Sequence, residues 1–213
     1  MGTAPPSGLR ERKKQRTRDA LLRAALELFT TRGYEQTTVD DIAEAVEVSQ
    51  RTFFRYFTSK EEVAFFAARL AESHFVEAVR ARPPDEAPLD ALRLAVLESW
   101  DTIGEAVEEV VPLELHMRIQ RVIESTPALL AAHLRRAAEL EEEIARIIAG
   151  REGLDVDADP RPRIIVAAFG SVIRIAERQW SEGDDFSLSA MRELASRYLE
   201  QVGPALTGNW RTN

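Results

Sequence analysis

Apolar residues recur at helical spacing along almost the whole chain of 213 residues, and no stretch shows the alternating pattern of a strand. In residues 12–31, for example, Leu21, Ala25 and Leu28 fall on one face of a helix. Pro83 and Pro84 end another such segment, because proline cannot continue a helix. The pattern predicts an all-α protein of about nine helices.

Charge is distributed unevenly along the chain. The net charge is −8, but residues 1–60 contain 11 Lys/Arg against 8 Asp/Glu, whereas the remainder contains 17 against 28. Between positions 10 and 18, six basic residues are opposed only by Glu11. A basic end on an acidic body indicates a polyanion partner at that end, although a solvated basic tail would give the same pattern.

Several classes of protein are disfavoured by composition and motifs. The chain has no cysteine, which rules out disulfides and thiolate metal sites and fits the reducing cytoplasm where we expect the protein. The longest strongly apolar run, 164–173, is about half the roughly 20 residues that a membrane span needs. We find no glycine-rich phosphate loop, nucleophile motif or metal cluster. We therefore expect no enzyme, no cofactor, no metal site and no membrane partner.

Two short predicted helices separated by a tight turn follow the helix of residues 12–31. Thr38 can cap the first and Ser49 the second. Packed on a longer preceding helix, such a pair is a helix-turn-helix, in which the first helix braces the second in the DNA major groove. If Phe53 and Phe57 face the core, the other side of the second helix carries Gln50, Arg51, Arg55 and Tyr56.

This region resembles the TetR/AcrR family of bacterial transcriptional regulators. The residues that carry the resemblance are TVDDIA at 38–43, VSQRTFFRYF at 48–57 and SKE at 59–61, within a match over about residues 15–65. The resemblance implies a dimeric repressor with an N-terminal DNA-reading domain and a helical C-terminal domain that binds a small effector.

Carried over by position, the resemblance also implies roles in binding DNA. Gln50 and Arg51 are expected to reach base edges, because Arg pairs bidentately with guanine and Gln with adenine. Phosphate contacts are expected from Thr38, Thr52, Tyr56 and Lys60, with further contacts from Arg16 and the basic arm before it. The complete predicted set is Arg16, Thr38, Ser49, Gln50, Arg51, Thr52, Arg55, Tyr56 and Lys60.

Two positions depart from the family pattern. Glu47 stands in the turn where the family usually has glycine, and a left-handed conformation there would cost about 1 kcal/mol. Phe54 stands where the family often has tyrosine, so a phosphate contact from that hydroxyl is missing.

Four regions are predicted. They are a disordered basic arm (1–11), the helix-turn-helix domain (12–58), a connecting helix (59–82) and a ligand-binding and dimerisation domain (83–213). The last two long helices are the expected dimer interface, because one of them is apolar on almost every side and family members pair such helices into a four-helix bundle. The predicted interface residues are Ile165, Phe169, Val172, Met191, Leu194 and Tyr198.

The effector pocket is expected among the helices between about 88 and 175. Its predicted lining is Trp100, Ile103, Val107, Leu115, Met117, Arg118, Arg121, Val122, Leu134 and Phe169. The apolar members could equally be plain core, and the arginines a solvated face. A hydrophobic or acyl-CoA-like effector is predicted to release the DNA by moving the connecting helix. The alternative is an activator, or a regulator without a small-molecule inducer.

Overall fold

The computed structural model describes residues 7–108, 111–183, 185 and 187–208, with the side chains at 7, 9, 103–108, 113, 114, 117 and 188 outside this description. This part of the chain is all-α, as predicted, and contains no strand. The helices are α1 (Ser7–Thr31), α2 (Val39–Ala45), α3 (Gln50–Phe54), α4 (Lys60–Ala64), α5 (Phe66–Ala81), α6 (Pro88–Glu108), α7 (Leu113–Ser125), α8 (Pro127–Arg151), α9 (Arg161–Glu182), α10 (Leu188–Glu200) and α11 (Val202–Thr207).

The chain forms two compact units that are not contiguous in sequence. The first combines the chain up to Ala67 with Glu108–Leu129, and the second combines Ala68–Val107 with the chain from Leu130 onwards. The first unit therefore contains α1–α4 together with α7. This division differs from the predicted one, in which residues 83–213 formed a single C-terminal domain.

Two predicted boundaries also differ from the structure. The connecting helix predicted over 59–82 is interrupted at Phe65, whose φ of −95° and ψ of 10° end α4 before α5 begins at Phe66. The residues predicted as a disordered arm overlap α1, which already begins at Ser7. The fold of about nine helices is confirmed, and the division of the connecting helix and the short α11 account for the further helices in the described residues.

The first unit is built around α1. Leu21, Leu22 and Phe29 on its inner face are fully buried. The helices α2, α4 and α7 pack on α1, and α3 packs on α2. This arrangement places the helix-turn-helix against one long helix.

The second unit has its own apolar core. Buried residues from α5, α6, α8, α9 and α10 meet there, including Val79, Leu92, Ile148, Phe169 and Leu199. Phe75 stacks on Phe169 with the ring centroids 5.7 Å apart. The helices α9 and α10 pack against each other. No described helix is long and apolar enough to cross a membrane.

Candidate DNA interface

The first helix of the helix-turn-helix begins with a capping box. The Thr38 hydroxyl accepts a hydrogen bond from the Asp41 backbone N–H at 3.1 Å, and the Asp41 carboxylate accepts from the Thr38 N–H at 2.7 Å. The same carboxylate accepts from the Thr38 hydroxyl at 2.6 Å. These bonds hold the pKa of Asp41 below its usual value. The Thr38 hydroxyl, a predicted phosphate donor, is therefore committed to the cap.

The turn after α2 is a Schellman motif. The Val48 N–H donates to the Ala43 carbonyl at 2.9 Å and the Glu47 N–H donates to the Glu44 carbonyl at 3.0 Å. Glu47 has a φ of 54°, the left-handed conformation that glycine normally provides in this motif. The family geometry of the turn is thus kept, and Glu47 bears the steric cost.

The second helix, α3, presents an exposed face. Ser49 caps it by accepting from the Thr52 N–H at 3.2 Å. Phe53 and Phe57 are buried, as predicted from their spacing. The exposed side chains are Gln50, Arg51, Phe54 and Arg55.

Phe54 was not among the residues predicted to contact DNA, yet it lies on the exposed face of α3. Its side chain is 50% exposed, on the same helix face as Gln50 and Arg51. Its ring forms a T-shaped pair with the ring of Phe53 at a centroid distance of 5.4 Å. An exposed aromatic ring on α3 offers an apolar contact in place of the hydroxyl that the family often has there.

Two predicted phosphate contacts lie beside this face. Thr52 and Tyr56 are half-buried, and the Arg55 guanidinium lies over the Tyr56 ring at 5.0 Å and donates to its hydroxyl at 3.2 Å. The side chains of Arg55 and Tyr56 are thus in contact, and Arg55 is the more exposed of the two.

Lys60 is placed differently from the prediction. Its ammonium donates to the carbonyls of Tyr34 at 2.7 Å and Thr37 at 3.0 Å. It also lies 4.2 Å from the centroid of the Tyr34 ring. Two of its three donors thus join α4 to the loop between α1 and α2, an arrangement that fits a role in holding the helix-turn-helix in place.

The basic residues of α1 divide into two groups. Arg16 is exposed, as a DNA contact requires. Arg18 instead lies over the rings of Phe57, at 5.6 Å, and Phe66, at 4.6 Å. It therefore anchors α1 beside the end of the recognition segment. The spacing of basic residues alone could not separate these two roles.

The predicted effector-lining residues do not lie together in one unit. Those on α7 (Leu115, Met117, Arg118, Arg121 and Val122) belong to the first unit, and Trp100, Leu134 and Phe169 to the second. Leu115 is buried, and Arg118 donates to the Thr30 carbonyl at the end of α1 at 3.3 Å. The described side chains do not include those of Ile103, Val107 and Met117.

In the second unit, the burial or exposure of several side chains contradicts the roles predicted for them in the effector pocket or the dimer interface. Leu134 is 52% exposed and does not line the apolar interior. Phe169 and Met191, predicted in the dimer interface, are each only 4% exposed in the single chain, so they belong to its core. Ile165 and Val172 pack against the same core, while Leu194 and Tyr198 are half-buried.

Comparison with known proteins gives family matches in both the N-terminal and the C-terminal part of the chain. Residues 21–65 match the family described as "Bacterial regulatory proteins, tetR family", and residues 86–204 match the "MftR C-terminal domain". The chain is 48% identical over 204 residues to the HTH-type transcriptional regulator TcmR of Streptomyces glaucescens, covering 96% of this chain and 90% of TcmR.

Two solved structures have a similar fold. One is native NalD of Pseudomonas aeruginosa, the secondary repressor of the MexAB-OprM multidrug efflux pump (TM-score 0.59, 23% identity, 92% of this chain and 100% of that chain). The other is Thermus thermophilus FadR in complex with lauroyl-CoA (TM-score 0.50, 21% identity, 92% and 96%). With its helix-turn-helix, its C-terminal family match and its near full-length relative, the chain belongs to the TetR family of DNA-binding bacterial transcriptional regulators.

Proposed function

We propose that this regulator is a repressor that binds a palindromic operator as a homodimer and is released by a small, predominantly apolar effector. The observation that carries the proposal is the exposed face of α3, formed by Gln50, Arg51 and Phe54 on a helix whose other side is buried. An α-helix with such a face fits the major groove of B-DNA.

The three side chains would read different features of the bases. Arg51 suits the two acceptors of guanine, and Gln50 suits the donor and acceptor of adenine. Phe54 suits the methyl group of thymine, which is the apolar feature of the major groove. Arg16 and Arg55, which are both exposed, would contact phosphates and set the register.

Dimerisation would use an exposed face of α9. Ile164 is 61% exposed and Ile175 is 47% exposed, three helical turns apart. The small residues Ala167 and Ser171 lie between them and are also exposed. If two protomers paired through this face by two-fold symmetry, the small side chains would allow the two copies of α9 to approach each other closely. The exposed isoleucines would then pack between the protomers. The proposed interface thus lies beside, rather than at, the face predicted from the sequence.

A dimer also matches the symmetry of an operator. Two recognition helices related by a two-fold axis require half-sites separated by about one helical turn of DNA, roughly 34 Å, or a multiple of it. An effector that binds better to a second arrangement of the dimer would change this separation and release the DNA.

The effector would bind in the second unit, whose apolar core includes the stacked pair Phe75 and Phe169 and, at its edge, Trp100. A long-chain acyl-CoA is the first probe to test, because the similarly folded FadR of Thermus thermophilus was solved with lauroyl-CoA. Lauroyl-CoA, laurate and coenzyme A tested separately would tell whether the chain, the head group or both are recognised.

The experiment that tests DNA reading is selection of bound duplexes from a random pool by the purified protein. The wild type is compared with Arg51→Ala and with Arg23→Ala, which removes an exposed arginine from α1 outside the recognition helix. We expect a palindromic consensus for the wild type, loss of preference at one base pair in each half-site for Arg51→Ala, and an unchanged consensus for Arg23→Ala. An unchanged consensus for Arg51→Ala would contradict the assignment of this side chain.

A second candidate function, activation of transcription, uses the same DNA-reading face. A reporter gene placed downstream of the selected site separates the two. Expression that rises when the regulator is deleted supports repression, and expression that falls supports activation.

A further inference from the structure

The second unit contains an ion pair at the edge of its apolar core. Arg136 on α8 donates to the carboxylate of Glu72 on α5, and the two side chains are only 21% and 26% exposed. One helical turn after each of them, Val76 and Leu140 belong to that core or pack against it. Two opposite charges are therefore held at the border between polar and apolar side chains.

Removing this pair from water has an energetic cost. Burial raises the pKa of the Glu72 carboxyl above its usual value, and the negative charge of Glu139 adds to the rise. The cations Arg136 and Arg69 act against it without cancelling it. A buried ion pair contributes little net stability compared with apolar side chains of similar size, so stability alone does not account for a pair at this position.

The imidazole of His133 indicates a positive potential beside Arg136. His133 lies one turn earlier on α8, and its pKa is lowered by burial and by the charges of Arg174 and Arg136. The Arg174 guanidinium itself bonds to the carboxylate of Glu141 at 2.5 Å. An anion that reached this position would therefore be attracted to the guanidinium of Arg136, where it would compete with Glu72.

Glu72 has a second cation nearby that can receive it. Arg69 is exposed and precedes Glu72 by three residues on α5, the spacing at which side chains on one helix face meet. If another anion took Arg136, Glu72 could turn to Arg69 and remain paired, which avoids the cost of a charge left buried alone. The carboxylate would thus have two arrangements, one on each arginine.

We propose that Arg136 binds a carboxylate of the effector, which displaces Glu72 from the guanidinium. The effector is then an amphiphilic anion, whose apolar part contacts the core near Phe75, three residues after Glu72. This inference rests on the proposed function, in which an effector binds in the second unit, and it names the chemical class that the site selects. A carboxylate is expected because it is the group that it replaces.

The exchange of partners would also supply the differential contact that a switch needs. Glu72 lies on α5, the helix in which the chain passes from the first unit to the second at Ala67 and Ala68. An effector that changes the partner of Glu72 therefore acts directly on the helix that joins the two units.

The test compares laurate with dodecanol, which has the same chain but no charge, by isothermal titration calorimetry on the full-length protein. The variants are Glu72→Gln, Arg136→Gln and the double variant, in which two neutral amides replace the charges. The double variant leaves no charge buried alone, so it provides the measurement if Arg136→Gln fails to fold. The matched control is Arg80→Gln, which removes an exposed ion pair with Glu143 between the same two helices.

We expect the wild type to bind laurate more tightly than dodecanol. Glu72→Gln should raise the affinity for laurate about tenfold, the factor that corresponds to one charge-assisted hydrogen bond, and should change the affinity for dodecanol much less. Arg136→Gln and the double variant should bind laurate no better than dodecanol. Arg80→Gln should bind both probes as the wild type does.

Equal affinity of the wild type for the two probes, or no binding of laurate, would overturn the proposal. A preference for laurate that persists in the double variant would overturn it as well. Failure of the proposed function is observed separately, by fluorescence anisotropy of the selected operator. Laurate that binds in the expected pattern without releasing the operator would refute effector control and leave the assignment of Arg136 standing. Release that is the same with both probes and unaffected by Arg136→Gln would refute only the assignment.

Discussion

Lys60 offers the sharpest test of how the helix-turn-helix is held in place. Replacing Lys60 with methionine keeps the aliphatic stem but removes the donors to the Tyr34 and Thr37 carbonyls and the cation above the Tyr34 ring. Each hydrogen bond from a charged donor contributes about 1.5–3 kcal/mol, and the lower value applies to this half-buried group. The Lys60→Met substitution should therefore lower the free energy of unfolding by about 3 kcal/mol.

The assay is urea and thermal unfolding followed by far-UV circular dichroism. For a chain of this length, a decrease of about 3 kcal/mol corresponds to a fall in Tm of about 6–12 °C. The matched control is Lys13→Met, which removes the same charge from an exposed site in α1. The control should unfold like the wild type, because solvated surface charges contribute little to stability.

The salt dependence of DNA binding then distinguishes a lysine that contacts phosphates from a lysine that stabilises the fold. Under conditions where both variants are folded, Lys13→Met should reduce the salt slope, whereas Lys60→Met should leave the slope nearly unchanged. If Lys60→Met instead left the unfolding curve unchanged and reduced the slope by about 0.9 per phosphate, Lys60 would be a phosphate ligand and the reasoning would be refuted.

Three further predictions concern the turn, the dimer and pH. Glu47→Gly should raise the free energy of unfolding by about 0.5–1 kcal/mol, because relief of left-handed strain outweighs the extra unfolded-state entropy; urea unfolding measures this, and Glu47→Ala should give no such gain. Ile164→Asp should convert a dimer to monomer in light scattering after size exclusion, and a variant that stays dimeric would exclude this face of α9. Burial lowers the pKa of His116 from 6.5, so the unfolded chain takes up a proton that the folded chain does not, and stability should fall as pH drops below 6.5. The measurement is the midpoint of urea unfolding as a function of pH, and His116→Gln should make this midpoint depend less on pH. If the dependence were unchanged, groups other than His116 would be responsible for it.

The local features of the DNA-reading face could be predicted from the sequence because they depend on neighbouring residues. Thr38 and Ser49 are caps, and a cap bonds to an N–H only a few residues away. The burial of Phe53 and Phe57 follows from helical periodicity. The departure from glycine at Glu47 is visible in the sequence, but the left-handed conformation that this residue adopts comes from the structure.

Features that depend on distant partners could not be predicted in this way. The position of Lys60 depends on carbonyls 23 and 26 residues earlier in the chain. The amphipathic pattern of α7 shows which side is apolar, with Leu115, Ile119 and Ile123 buried, but not that the helix packs on α1. In a nearly apolar helix such as α9, the sequence likewise does not show which faces are buried within the protomer and which remain exposed.

The place of α7 in the first unit limits how the regulator can be divided or recombined. A fragment that ends at Ala67 lacks the helix that packs along α1 and the Arg118 side chain that caps the Thr30 carbonyl. A chimera that exchanges effector specificity should therefore retain Glu108–Leu129 with the native N-terminal region. The same connectivity affects synthesis, because a growing chain cannot complete its DNA-reading unit until residue 129 has left the ribosome, by which time α5 and α6 have also emerged.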